Sequence, residues 1–163
     1  MEIEKKFKVN YMPEGLDKCC VKEIEQGYLC RKPTIRIRKS NDEYILTYKR
    51  KLDSANKADT TIVNEEAEFP LSSKAYEHLR EKTDNHLIRK TRYLVPLEGG
   101  LTAELDVFHE RLSGLRFVEV EFESEEAAAD FVPPEWFGCE VSGDKRYSNG
   151  HLSELEEYDG FAD

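Results

Sequence analysis

Along most of its length the chain alternates charged with apolar residues, the period of two that a β-strand imposes by sending successive side chains to opposite faces. The opening EIEKKF places Glu2, Glu4 and Lys6 on one face and Ile3, Lys5 and Phe7 on the other. TIRIR sets Arg36 and Arg38 against Ile35 and Ile37, and YILTYK gathers Ile45, Thr47 and Lys49 on one side. Glu66 and Glu68 alternate with Ala67 and Phe69, Lys90 and Arg92 with Thr91 and Tyr93, and Glu104 and Asp106 with Ala103, Leu105 and Val107. Near the end of the pattern, Glu119, Glu121 and Glu123 oppose Val118, Val120 and Phe122. EQGYLC adds a strand in which Gln26 and Tyr28 share a face, while Gly27 permits close backbone approach.

Any one of these alternations fits an antiparallel sheet with one wet face. Together they imply more, because the charges segregate by strand, and like charges side by side repel unless something of opposite sign lies between them. Packing such a face against a second sheet would cost too much desolvation. Closing the sheet on itself resolves the conflict. The expected fold is mainly β, of the α+β kind: an eight-stranded antiparallel closed barrel with a charged lumen and helices on its apolar outside. A lipocalin-like carrier would need an apolar lumen instead.

The connections follow from turn and cap chemistry. YMPEGLDK reads as a loop leading into a short helix or turn around Leu16 to Ile24, SND as a hairpin turn, and DSANKADTT as a mobile loop over one end of the sheet. LSSKAYEHLREKTD predicts a helix with a serine N-cap and an apolar stripe through Ala75 and Leu79, and SEEAAADFV a second one capped by Ser124. PLEGG is a further hairpin turn, PPEWFGCEVSGDKRYSN reads as irregular, and HLSELEEYDGFAD as a short acidic helix and tail. The 163 residues suit one domain, with a core over about residues 1–150 and a helical tail over 151–163.

Charge narrows the function. A net charge of −10 argues against nucleic-acid partners and acidic membranes, both of which need a basic surface. No apolar run is long enough to span a bilayer, and with the candidate site starting at Glu2 no removable leader is expected. Cys19, Cys20, Cys30 and Cys139 show no zinc spacing, and reduced thiols of a cytoplasmic protein are the reading they support. His78, His86, His109 and His151 stand apart, with no HExxH motif and no triad order.

An ordered set of motifs then carries a resemblance. ExExK at Glu2, Glu4 and Lys6, QGYL at Gln26 to Leu29, RIR at Arg36 to Arg38, TYK ending at Lys49, KTRY at Lys90 to Tyr93, ELDVF at Glu104 to Phe108, VEVEF at Val118 to Phe122 and the closing WFG…DKRYSN resemble the CYTH, or triphosphate tunnel metalloenzyme, superfamily. The bacterial inorganic triphosphatase subgroup is the nearest in pattern. The resemblance implies a tunnel domain that hydrolyses a triphosphate, with inorganic tripolyphosphate favoured, using Mg²⁺ or Mn²⁺. It implies that Lys6, Arg36, Arg38, Lys49, Lys90 and Arg92 hold phosphate oxygens, with Lys145 or Arg146 at the tunnel mouth. Glu2, Glu4, Glu119 and Glu121 supply metal ligands, with Glu66, Glu104, Asp106 and Glu123 as secondary candidates. Lys6 and Tyr28 resemble a catalytic dyad in which crowding by cations would depress the lysine pKa. Asn64 departs from the pattern, which often carries an acidic residue two before Glu66. Adenylate cyclase, thiamine or nucleoside triphosphatase, and a non-catalytic polyphosphate- or nucleotide-binding barrel are the alternatives. Whether the chain forms a homodimer stays open.

Overall fold

The computed structural model describes residues 1–52 and 61–161. Among the described residues nine strands run in the order β1 (Glu2–Val9), β2 (Cys20–Arg31), β3 (Thr34–Ser40), β4 (Glu43–Leu52), β5 (Ile62–Pro70), β6 (Asp84–Pro96), β7 (Thr102–Phe108), β8 (Arg116–Phe122) and β9 (Phe137–Glu140). Neighbouring strands pair antiparallel, in the spatial order β5-β4-β3-β2-β6-β7-β8-β1. Pairing of Glu2 to Glu4 with Asn64 to Ile62 joins β1 to β5 and closes the eight-stranded barrel. The expected fold class is therefore the one found.

The ninth strand corrects the sequence reading. WFGCE reads as irregular in sequence, yet Phe137–Glu140 pairs with Phe7 and Val9 of β1, extending the sheet where β5 has ended. Four residues are too few to show a convincing period of two. A second correction concerns the stretch from Leu16 to Ile24. Only Leu16–Lys18 is helical, a single 3-10 turn, and β2 starts at Cys20. The segment DSANKADTT, read as a loop over the sheet, lies almost entirely outside the described residues.

Three short helices accompany the barrel: α1 (Ser73–Arg80), α2 (Glu125–Asp130) and α3 (Asn149–Leu152). Ser72 and Ser124 accept from the backbone N–H groups of Ala75 and Ala127, as N-caps do. In α1 the anchor is Tyr76 rather than the expected Ala75 and Leu79. Its ring packs on Tyr44, and its hydroxyl donates to the Glu25 carboxylate at 2.9 Å. That carboxylate also receives Arg80 at 2.8 Å and Arg89 at 2.9 Å, so α1 is tied to the outside of the barrel by charge. The acidic tail is not helical. α3 starts earlier, at Asn149 with Ser148 as its cap, and ends at Leu152, before the glutamates.

Two apolar cores result. The outer one sets Ile3, Phe7, Val63, Leu105, Val118, Val120 and Phe122 of the strands against Ala128, Phe131, Trp136 and Phe137. These are the non-charged faces of the alternation, covered by α2 and β9. The second core fills one end of the lumen. Tyr28, Ile88, Phe108 and Phe117 lie on the inward face of their strands and pack against Val141, Tyr147 and Leu152 of the C-terminal segment. Arg111 fastens that segment by donating to the carbonyls of Leu152 (2.8 Å) and Leu155 (2.5 Å).

Candidate active site

The inward faces carry the charge that the alternation predicts, as contacts spanning intervening strands show. Lys49 on β4 reaches across β5 to Glu2 on β1 at 2.6 Å, and Arg92 on β6 reaches across β7 to Glu119 on β8 at 4.0 Å. Side chains on a wet outer face could not meet this way. Register aligns Gln26 with Arg38, Tyr28 with Arg36, Lys49 with Glu66, Arg92 with Asp106, Glu104 with Glu119, Lys6 with Glu119, and Glu4 with Glu121.

The cations fall into two groups. On β6, Lys90 is fully buried and bonds Asp106 at 2.8 Å, and Arg92 grips the same carboxylate at 2.7 and 3.0 Å and Glu104 at 2.6 Å. Burial favours the neutral acid, but Arg92 and Lys90 outweigh it and hold the Asp106 carboxyl well below the usual range. Burial lowers Lys90 to about 7, with Arg92 and Arg38 adding to the shift against Asp106. On β3 the arginines meet neutral groups instead. Arg38 donates through Nε to Gln26 Oε1 at 2.9 Å, and Arg36 donates to Thr47 Oγ1 at 3.4 Å. Among the described residues neither has a carboxylate partner. Burial, then Arg36 and Arg92, pull the Arg38 pKa below the usual arginine value.

The carboxylates divide in the same way. Glu119 would be raised by burial, yet Lys6 and Arg92 bring it down to about 2. Glu4 is the opposite case. Burial, joined by the charges of Glu119 and Glu2, pushes its carboxyl well above the usual range against the pull of Lys49 and Lys6. It makes no hydrogen bond or ion pair among the described residues. Burial raises Glu2 as well, despite its contact with Lys49, and burial with Glu2, Glu104 and Glu66 raises Glu121. Glu4 is thus the carboxylate short of positive charge, with Glu2, already paired to Lys49, and the exposed Glu121 beside it, a condition a bound divalent cation relieves. Among the described residues, no three Asp, Glu, His or Cys side chains are arranged to chelate one ion by themselves. An ion held here by one or two of these carboxylates would complete its shell with water and phosphate oxygens.

Several expected residues sit differently. Lys6 is buried at the filled end, donates to the Tyr147 carbonyl at 2.8 Å and lies 4.4 Å over the Phe117 ring. Tyr28 is buried in the apolar plug, and no hydrogen bond joins it to Lys6 among the described residues. Lys145 is exposed and Arg146 is engaged by Asp144 at 2.6 Å. Glu123 is exposed beyond the end of β8. Glu66 pairs with Lys49 at 3.4 Å, and Asn64 donates to Glu2 at 3.3 Å where the related pattern has an acid. Asn149, which accepts from Lys90 at 3.3 Å, was given no role by sequence reasoning. It lies 59 residues from its partner, and no local period connects them.

Fold and lining together define an antiparallel barrel with a charged interior. Residues 1–133 match the family model described as the CYTH domain. The chain belongs to the CYTH domain family. It is similar to an inorganic triphosphatase of Nitrosomonas europaea, 40% identical over 156 residues, covering 93% of this chain and 96% of that protein. An inorganic triphosphatase of Acetivibrio thermocellus is 34% identical over 155 residues, covering 93% and 92%. The crystal structure of the inorganic triphosphatase NE1496 matches with a TM-score of 0.69 and 37% identity, covering 97% of each chain.

Proposed function

We propose that this chain hydrolyses inorganic tripolyphosphate to pyrophosphate and phosphate, in a reaction requiring Mg²⁺ or Mn²⁺, in the cytoplasm. The relatives' shared activity over nearly the whole length supports the reaction. The observation that carries the reading is a double deficit in one lumen: among the described residues the β3 arginines make no ion pair with a carboxylate, and Glu4 makes none with a cation. A phosphate chain with its metal supplies both missing partners.

In this reading Arg36 and Arg38 grip non-bridging oxygens, with arginine's planar fork suited to two at once. Lys49, Lys90 and Arg92 complete the cationic lining, each holding an ion pair in the free chain. Lys6 and Tyr28 face the phosphate at the filled end, where Lys6 would exchange the Tyr147 carbonyl for a phosphate oxygen. Glu4, Glu2 and Glu121, with Glu119 beside them, would hold the metal, which would neutralise phosphate charge and activate the attacking water. Water adds to the terminal phosphorus as its bond to the bridging oxygen breaks, and the released proton leaves to solvent. Positioning and charge stabilisation make up most of such catalysis.

The test is phosphate release from tripolyphosphate by the purified chain with Mg²⁺, with Mn²⁺ and with a chelator. Equal amounts of phosphate and pyrophosphate with metal, and neither with chelator, are expected. Arg38→Ala should lower kcat about 10²-fold, the cost of losing one preorganised donor. No release with either metal would overturn the reading, and cyclic AMP with pyrophosphate from ATP would move the chain to the cyclases.

A further inference from the structure

Gln26 has no place in the reaction described above, yet it is fully buried on the tunnel face of β2. Its backbone position is dictated by the neighbouring Gly27, where a Cβ would sit 2.7 Å from Thr83 Cγ2 and 2.8 Å from Leu87 Cδ2. Register sets Gln26 opposite Arg38, and Oε1 accepts from Arg38 Nε at 2.9 Å. A guanidinium has only donors, so this bond fixes the amide with its oxygen toward Arg38. The consequence is an orphan. Gln26 Nε2 is buried without a hydrogen-bond partner, one of two such side-chain atoms among the described residues. A buried donor left unsatisfied is a net cost to the fold, so this arrangement does not serve stability.

A comparison of the two basic strands indicates what it does serve. Arg92 is oriented by Asp106 and Glu104, which hold it firmly and cancel its charge. Arg38 is oriented by a neutral amide, which holds Nε and cancels nothing. Resting on the triphosphate reading above, we propose that Gln26 is the positioning residue for Arg38, fixing the guanidinium while leaving its full charge and outer N–H groups for phosphate oxygens. A glutamate there would hold Arg38 more tightly and spoil it for a polyanion.

Gln26→Glu keeps the acceptor and adds the charge; Gln26→Met removes the acceptor at nearly constant length. The measurement is the Kd of inorganic tripolyphosphate by calorimetry in chelator, with kcat and KM in Mg²⁺ alongside. Gln26→Glu should weaken binding about tenfold or more, the size of one charge-assisted hydrogen bond. Gln26→Met should weaken it several-fold in the parent chain and cause no further loss once Arg38→Ala is present. Parent-like binding by Gln26→Glu, or an equal loss from Gln26→Met with and without Arg38, would overturn the inference. Should Gln26→Glu fail to fold, the Gln26→Met and Arg38→Ala cycle decides alone. Absent turnover in a parent chain that binds tripolyphosphate would sink the proposed reaction and leave this inference to the cycle, whereas a parent chain that does not bind it overturns both.

Discussion

Asp106 and Glu4 are both acidic side chains on the inward face of the same barrel, and their surroundings are opposite. Asp106 is fully buried and clasped by Lys90 and Arg92, which keep it ionised. Glu4 is desolvated beside Glu119 and Glu2, and its only relief comes from more distant lysine charges. The difference separates two uses of a buried carboxylate. Asp106 holds β6 to β7 in a closed circuit of charge, and Glu4 leaves a circuit open for something that enters with the substrate. Conserving the charge balance of the folded chain therefore depends on one and is disturbed by the other.

The comparison breaks first at Asp106. Asp106→Asn leaves the buried Lys90 without its carboxylate and Arg92 with Glu104 in place of two carboxylates, and removing one side of a buried pair costs about 3–5 kcal/mol. Chemical denaturation should show a loss of that size, and a change below about 1 kcal/mol would mean that water or Glu119 replaces the carboxylate.

Glu4→Gln should behave in the reverse sense. Turnover on tripolyphosphate is expected to fall about 10²–10³-fold, the range for losing one preorganised electrostatic contact. In chelator the variant should melt at the same temperature as the parent or higher, because an uncompensated buried charge has been removed. A lower melting temperature with full turnover would reverse the assignment of the two carboxylates.

The smallest effect is expected outside the barrel, where Glu25 is compensated by Arg80, Tyr76 and Arg89 much as Asp106 is inside. Burial works to raise Glu25, but these hydrogen bonds bring it from 4.5 to about 2. A carboxyl depressed on folding contributes stability that is present above 4.5 and is lost as pH falls toward about 2. The melting temperature of the parent should drop through that window, and Gln in place of Glu25 should flatten that part of the profile. Because water reaches this site, the loss should be smaller than for Asp106. Equal pH profiles for parent and Glu25→Gln would show that the contact ordering α1 is not electrostatic.

Much of this was legible in the sequence. The period of two placed Glu4, Arg38, Lys90, Asp106 and Glu119 on inward faces, because side-chain direction in a strand is a local property of the backbone. The failures were of another kind. β9 is hidden because four residues carry no usable period, and the short helix or turn expected around Leu16 to Ile24 is confined to Leu16–Lys18, the rest joining a strand that its neighbours β3 and β6 stabilise. Lys6 and Tyr28, expected as a catalytic dyad, lie at the filled end of the lumen, where Lys6 donates to the Tyr147 carbonyl and Tyr28 packs in the apolar core, contacts that no local period shows.

What the chain alone determined is the barrel and the sign of charge that each strand turns inward. Only the tertiary structure decided which charges are cancelled: Lys6 meets a carbonyl 141 residues away, Lys90 an asparagine 59 residues away, and Arg38 the amide of Gln26. The reason is physical. Side-chain direction follows from the residue's own backbone, but the free energy of a buried charge depends on whatever closure of the barrel places beside it.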